Sequence, residues 1–134
     1  MEAVKEKVLE VKNLKTTFTT LRGRVVAVDG VSFTINKGEI VGIVGESGCG
    51  KSVLCKSIMK LLPPSARIKE GSIHVKGQDI TCYREKEMQK LRGRIFSMIF
   101  QDPMTSLNPT IKIGKQIGEA VVIHNKNYTK EQVN

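Results

Sequence analysis

The sequence contains no tryptophan, and aromatic side chains make up only 4% of its 134 residues. Any core must therefore be mostly aliphatic. Aromatic platforms interleaved with basic strands, which stack single-stranded nucleic acid, are hard to build from so few rings. Cysteine is scarce and odd in number: Cys49, Cys55 and Cys82, with no Cys-x-x-Cys pair. Neither a disulfide framework nor a zinc site fits that count and spacing, and free thiols suit a reducing compartment. The longest strongly apolar run is about Ile40 to Val44, far short of a membrane span. The first residues, Met1 to Lys7, lack the apolar stretch of a signal peptide. Internal repeats and low-complexity segments are missing as well.

What is present is ordinary for a folded domain: 40% hydrophobic and 26% charged residues, enough for one domain with one core. The formal net charge of +9 is high for this length. It suits nucleic acid, an anionic membrane surface, a phosphorylated ligand or simply a solvated lysine-rich surface. The basic residues are scattered, so composition alone leaves these open.

Leu9 and Val11 alternate with Glu10 and Lys12, and Val31, Phe33 and Ile35 alternate with Ser32 and Thr34; both read as strands. Two β-rich pieces lie between them, Thr16 to Leu21 and Arg24 to Val28, with Arg22-Gly23 as a hairpin turn. Glu39 to Val44 is apolar on both faces, as in a strand inside a parallel sheet. Residues 51 to 62 place Leu54, Cys55, Ile58, Met59, Leu61 and Leu62 at helical spacing, and Pro63-Pro64 stops that helix. Ile73 and Val75 mark a short strand between glycines. Residues 84 to 92 are helix-prone, Ile95 to Phe100 reads as an apolar strand, and Gln101 to Pro109 as a loop. Ile113, Ile117, Ala120, Val121 and His124 give a second amphipathic helix. Thr129-Lys130-Glu131-Gln132 is a capping box that announces another helix, and the sequence stops at Asn134.

The strongest signal is Gly45-Glu46-Ser47-Gly48-Cys49-Gly50-Lys51-Ser52, which satisfies G-x-x-x-x-G-K-[ST] between an apolar strand pattern and an amphipathic helix. Glycines let the backbone curl so that successive N–H groups face phosphate oxygens. The helix that follows adds the positive end of its dipole. Lys51 reaches the β- and γ-phosphates, and the Ser52 hydroxyl ligates Mg²⁺. Cys49 occupies a variable position, as a small filler or as a thiol whose pKa is lowered beside Lys51. His74 and His124 have no acid or cysteine cluster near them in sequence and read as ordinary surface or core residues.

The stretch from Gly38 to Ser52 resembles the Walker A region of ATP-binding-cassette (ABC) ATPases. Val31-Ser32-Phe33 is similar to the strand leading into it, and Phe100-Gln101-Asp102-Pro103 looks like the Q-loop. Gly45-Glu46-Ser47-Gly48, together with Gln101-Asp102-Pro103-Met104-Thr105-Ser106-Leu107-Asn108-Pro109, resembles the dipeptide, oligopeptide and nickel importers. Gly71-Ser72-Ile73, Gly77-Gln78-Asp79-Ile80 and Arg92-Gly93 fit that group too.

The resemblance implies an α/β fold: the P-loop NTPase core of an ABC nucleotide-binding domain with its antiparallel β-subdomain. Glu39 to Val44 would be a central parallel strand. Residues 1–134 would be the N-terminal part of one such domain. ATP and Mg²⁺ would bind through Gly45, Glu46, Ser47, Gly48, Cys49, Gly50, Lys51 and Ser52. Phe18 would stack on adenine; its alignment crosses an extra stretch, Thr19 to Gly23. Gln101 would contact Mg²⁺ and the attacking water. Implied partners are a second ATP-binding subunit in a head-to-tail dimer, permease subunits docking near Gln101 to Pro109, and indirectly an extracytoplasmic solute-binding protein. The implied place is the cytoplasmic face of the membrane.

The departures matter as much. A Leu-Ser-Gly-Gly-Gln signature, an apolar strand ending in Asp-Glu and a switch histidine are all missing from these residues. The general base and the element that completes a partner's site are therefore not encoded here. The expectation is ATP binding with little turnover, in a chain truncated before the signature motif and Walker B strand. Two other classes compete. His124-Asn125-Lys126-Asn127 is similar to the guanine-reading Asn-Lys-x-Asp, but the final carboxylate is missing. The +9 charge suggests a nucleic-acid module without the rings to stack bases, so no specific nucleic acid is expected.

Overall fold

The computed structural model describes residues 5–102 and 106–125. The chain divides into two compact units, Met1–Met88 and Gln89–Asn134.

The first unit is built on a four-stranded antiparallel sheet ordered β2-β1-β3-β4. Its strands are β1 (Lys7–Thr20), β2 (Gly23–Asn36), β3 (Ala66–Val75) and β4 (Gln78–Asp79). The separate β-rich pieces read from the sequence merge into β1 and β2, 14 residues each. Threonine and valine, which favour the pleated backbone, dominate the merged stretch. Arg22-Gly23 turns the chain as expected: Thr20 pairs with Gly23, and Thr20 Oγ1 donates to Gly23 O at 2.8 Å.

β1 is central because it pairs with both β2 and β3. An irregularity interrupts it at Asn13, whose φ is 46°. Before this point the buried side chain is the odd-numbered Val11; after it, Leu14 and Thr16 are fully buried. The left-handed residue thus switches which parity faces the core. Gly71 on β3 fits against the same spot. A Cβ there would lie 2.4 Å from Lys12 O and 2.5 Å from Asn13 O, at a φ of +92°.

Helix α1 (Lys51–Ile58) packs on the sheet and buries Leu54 and Ser57. It is shorter than the apolar spacing to residue 62 implied. The helix ends before the prolines because Lys60 adopts φ 53°. Lys60 N–H returns to Ser57 O at 3.1 Å and Leu61 N–H to Lys56 O at 2.8 Å, a Schellman ending. The Lys60 ammonium then donates to Thr81 O and Tyr83 O at 2.5 and 2.7 Å. Val11, Leu14, Leu54, Ile73, Ile80 and Met88 form the aliphatic core. Met88 lies on α2 (Glu85–Leu91), which runs across the boundary between the units.

Two strand expectations are corrected. Residues 39–44 join no sheet, although the sequence reads them as a buried parallel strand. Ile40 and Val44 are 99% and 94% exposed. Residues 95–100 form only an isolated parallel bridge, Arg92 to Phe96, and Ile99 is fully exposed. The physical reason is the same in both cases. A strand exists through its ladder, and among the described residues neither segment has a neighbouring strand to pair with.

The second unit contains α3 (Ile113–His124), placed where the apolar spacing put it. Its apolar stripe is open, with Ile113, Ile117 and Ile123 all well exposed. The announced helix at residues 129–132 lies outside the described residues. Among the described residues no helix is long and apolar enough to cross a membrane.

Candidate nucleotide-binding site

The phosphate loop lies between the end of residues 39–44 and the start of α1. Gly48 and Gly50 take φ of 81° and 94°, conformations that side chains other than glycine rarely tolerate. Gly50 serves as the N-cap of α1, with no side-chain cap and no acid in the first turn. The first-turn N–H groups are therefore not neutralised by a carboxylate, and the helix end keeps its positive character.

Gly50 is also a contact point. A Cβ there would meet Ala27 O at 2.3 Å. Ala27 sits at a break in the β1–β2 register, between the pairs Thr16–Val28 and Thr17–Val26. The extra residue directs its carbonyl at the loop, and only a glycine leaves room for it. Ala27 is a supporting residue that the sequence reading missed. The register break has no sequence signature beyond a small residue between valines.

Lys51 arcs back over its own loop. Its ammonium donates to Gly45 O at 2.7 Å, Glu46 O at 2.6 Å and Cys49 Sγ at 3.4 Å. These use all three of its hydrogens, so an entering polyanion competes with two carbonyls and a thiol. Cys49 Sγ would lie 2.6 Å from a Cβ on Gly45, which explains a small residue at each position. Cys49 N–H donates to Glu46 O at 3.3 Å and closes the loop. Ser47 and Gly48 lie at its exposed tip, and Ser52 is exposed in the first turn of α1.

Phe18 is half-buried near the hairpin end of β1, opposite Val25 on β2 and Ala66 on β3. Its ring is neither sealed in the core nor free of it. Thr16, two residues earlier, is fully buried and meets Ser57 of α1. That pair was also missed. The available signal was a serine, Ser57, three residues after Leu54 on the buried face of α1.

The structure thus groups residues 45–52 and Phe18 in the first unit, and Gln101 in the second, where it is exposed in a bend. Pro103, Met104 and Thr105 lie outside the described residues. The rest of that loop is ordered by Gln116 of α3. Its amide donates to Asn108 O and Ile111 O at 2.9 and 2.8 Å, and its Oε1 accepts Asn108 N–H at 2.8 Å. Of the histidines, His74 has a buried Nδ1 without a hydrogen-bond partner. His124 lies against Gly93, and its carbonyl accepts from Arg94 at 2.8 Å. Among the described residues no cluster of histidine, cysteine and acids could hold a metal by itself.

The chain is 57% identical over 122 residues to the dipeptide transport ATP-binding protein DppD of Bacillus subtilis, covering 90% of this chain and 36% of DppD. It is 54% identical over 121 residues to the oligopeptide transport ATP-binding protein OppD of the same organism, covering 90% of this chain and 34% of OppD. The chain thus spans about a third of the length of these curated relatives. Among solved structures it superposes on the ATP-binding cassette MJ0796, in a dimeric post-hydrolysis state bound to ADP and Pi, with a TM-score of 0.75. Sequence identity to MJ0796 is 21%, over 93% of this chain and 52% of that one. That likeness establishes the fold. The profile described as ABC transporter matches residues 28–134, most of the chain, and the chain belongs to that family.

Proposed function

We propose that these residues are the nucleotide-gripping front part of the ATP-binding subunit of an ABC importer that energises peptide uptake. The observation that carries this reading is the loop at residues 45–52: two left-handed glycines, an uncapped helix start and a lysine poised over the loop. Residues 1–134 are read as one N-terminal part of a single ATP-binding domain. The relatives' names favour peptides over nickel or another small solute. The whole subunit would hydrolyse ATP, work as a head-to-tail pair and sit peripherally on the cytoplasmic face of the membrane. Permease subunits would dock near residues 101–109, and an extracytoplasmic solute-binding protein would act indirectly.

The loop fits MgATP. Backbone N–H groups of residues 45–52 and the Lys51 ammonium suit phosphate oxygens. Ser52 would hold Mg²⁺ beside those phosphates; Gln101 enters as a metal ligand through the family resemblance alone. A small hard cation needs only one or two protein oxygens when phosphates and water supply the rest. When bound, the metal neutralises phosphate charge. This chain's own part is to bind and orient the nucleotide. Ser52→Ala is expected to erase most of the gain in ATP affinity that Mg²⁺ gives, while affinity without Mg²⁺ stays near the parent value. Calorimetric titration with and without excess chelator measures both. An undiminished Mg²⁺ effect in the variant would remove Ser52 from the site.

A nucleic-acid role is the reading of another class. Binding through the diffuse +9 charge would fade steeply with salt and would ignore Lys51.

A further inference from the structure

Thr16 on β1 and Ser57 on α1 are both fully buried, and their hydroxyl oxygens lie 2.9 Å apart. Ser57 Oγ also donates to Val53 O at 2.7 Å, which commits its one proton. Thr16 is then the donor to Ser57. Two buried hydroxyls in an aliphatic core are costly unless satisfied; here Val53 O accepts the serine's proton and Ser57 Oγ the threonine's.

The pair joins the two elements that carry the proposed nucleotide contacts. Helix α1 opens with Lys51 and Ser52, at the phosphate end. β1 carries Phe18 two residues beyond Thr16. At strand rise, Phe18 lies roughly 6.7 Å further along. We infer that Thr16 and Ser57 form a positioning pair that fixes the span between base platform and phosphate cradle, so that the site favours a nucleoside triphosphate over bare polyphosphate. This rests on the reading of Phe18 as the adenine platform.

A polyphosphate needs only the loop and the start of α1, which are contiguous in the chain. A nucleotide needs those and Phe18 at the right separation. A hydrogen bond across β1 and α1 therefore bears on the second ligand and not on the first. Its geometry is also specific: valine keeps the shape of threonine and loses only the donor, and Ser57 keeps its own bond to Val53.

The test compares the affinity of the full 134-residue chain for MgATP and for magnesium tripolyphosphate. Thr16→Val is expected to lower MgATP affinity about fivefold, the effect of one buried hydrogen bond. Tripolyphosphate affinity should stay unchanged, and Thr16→Ser should restore the parent ratio. Ser57→Ala provides the second variant should Thr16→Val fold poorly, with the same split expected. Equal losses for both ligands, or no loss for MgATP, would overturn the positioning role. Phe18→Ala separates the two readings. If it leaves the ratio unchanged, the platform reading fails and the pair's role fails with it. If it lowers the ratio while Thr16→Val and Ser57→Ala do not, only the pair's role fails.

Discussion

Replacing Lys51 by alanine is expected to weaken MgATP binding by roughly ten- to a hundred-fold, the effect of losing a charge-assisted contact of about 1.5–3 kcal/mol. The side chain is exposed enough that the fold should survive. Its three partners, Gly45 O, Glu46 O and Cys49 Sγ, are exposed loop atoms that water can reach. The melting temperature should therefore move little while affinity falls. Lys51→Arg is expected to recover only part of it, since a planar fork does not reproduce a compact ammonium in this loop. Calorimetric titration beside a thermal melt separates the two effects. Unchanged affinity in Lys51→Ala would remove the loop from the function.

Gly50→Ala is expected to damage fold and binding together. The added Cβ would stand 2.3 Å from Ala27 O, at a φ of +94°. Backbone strain and the steric clash together cost on the order of 2–5 kcal/mol. The chain can relieve the clash only by moving β2 away from the loop or by unwinding the start of α1. Either movement disturbs the loop amides proposed to face phosphate. Two controls isolate the contact. Gly48→Ala carries a similar φ of +81° with open space around it, so it shows backbone strain alone. Gly42→Ala meets nothing and needs no special φ, so it should be nearly neutral. A Gly50→Ala melt no lower than that of Gly48→Ala would show that the Ala27 approach is unimportant.

The loop, the hairpin at Arg22-Gly23 and the start of α1 were legible in the sequence because each is fixed by neighbours in the chain. Glycine spacing, an Arg-Gly turn and an apolar stripe need no distant partner to be recognised. The strands expected at residues 39–44 and 95–100 did not form. Their apolar pattern states what they could bury, whereas a ladder depends on a neighbour that no local pattern supplies. The Thr16–Ser57 bond spans 41 positions and the Ala27 approach rests on a register break, so neither has a local signal. The break at Asn13 is a further case, since it lies where the pairing of β1 with both neighbours shifts register. The C-terminal boundary of α1 was misjudged because apolar spacing continued through Leu61 and Leu62 while Lys60 took the left-handed conformation.

The most direct measurement is MgATP binding and steady-state phosphate release on one sample of the 134-residue chain. Saturable binding is expected, weakened in Lys51→Ala, with phosphate release near background. In the proposed reading the loop and Ser52 would supply electrostatic positioning, which catalysis needs, but positioning alone would leave the attacking water without a base. Among these residues no Asp-Glu follows an apolar strand to provide one. Robust phosphate release abolished by Lys51→Ala would mean that a catalytic base lies within these 134 residues, and would contradict the reading of the chain as a nucleotide grip without its catalytic half.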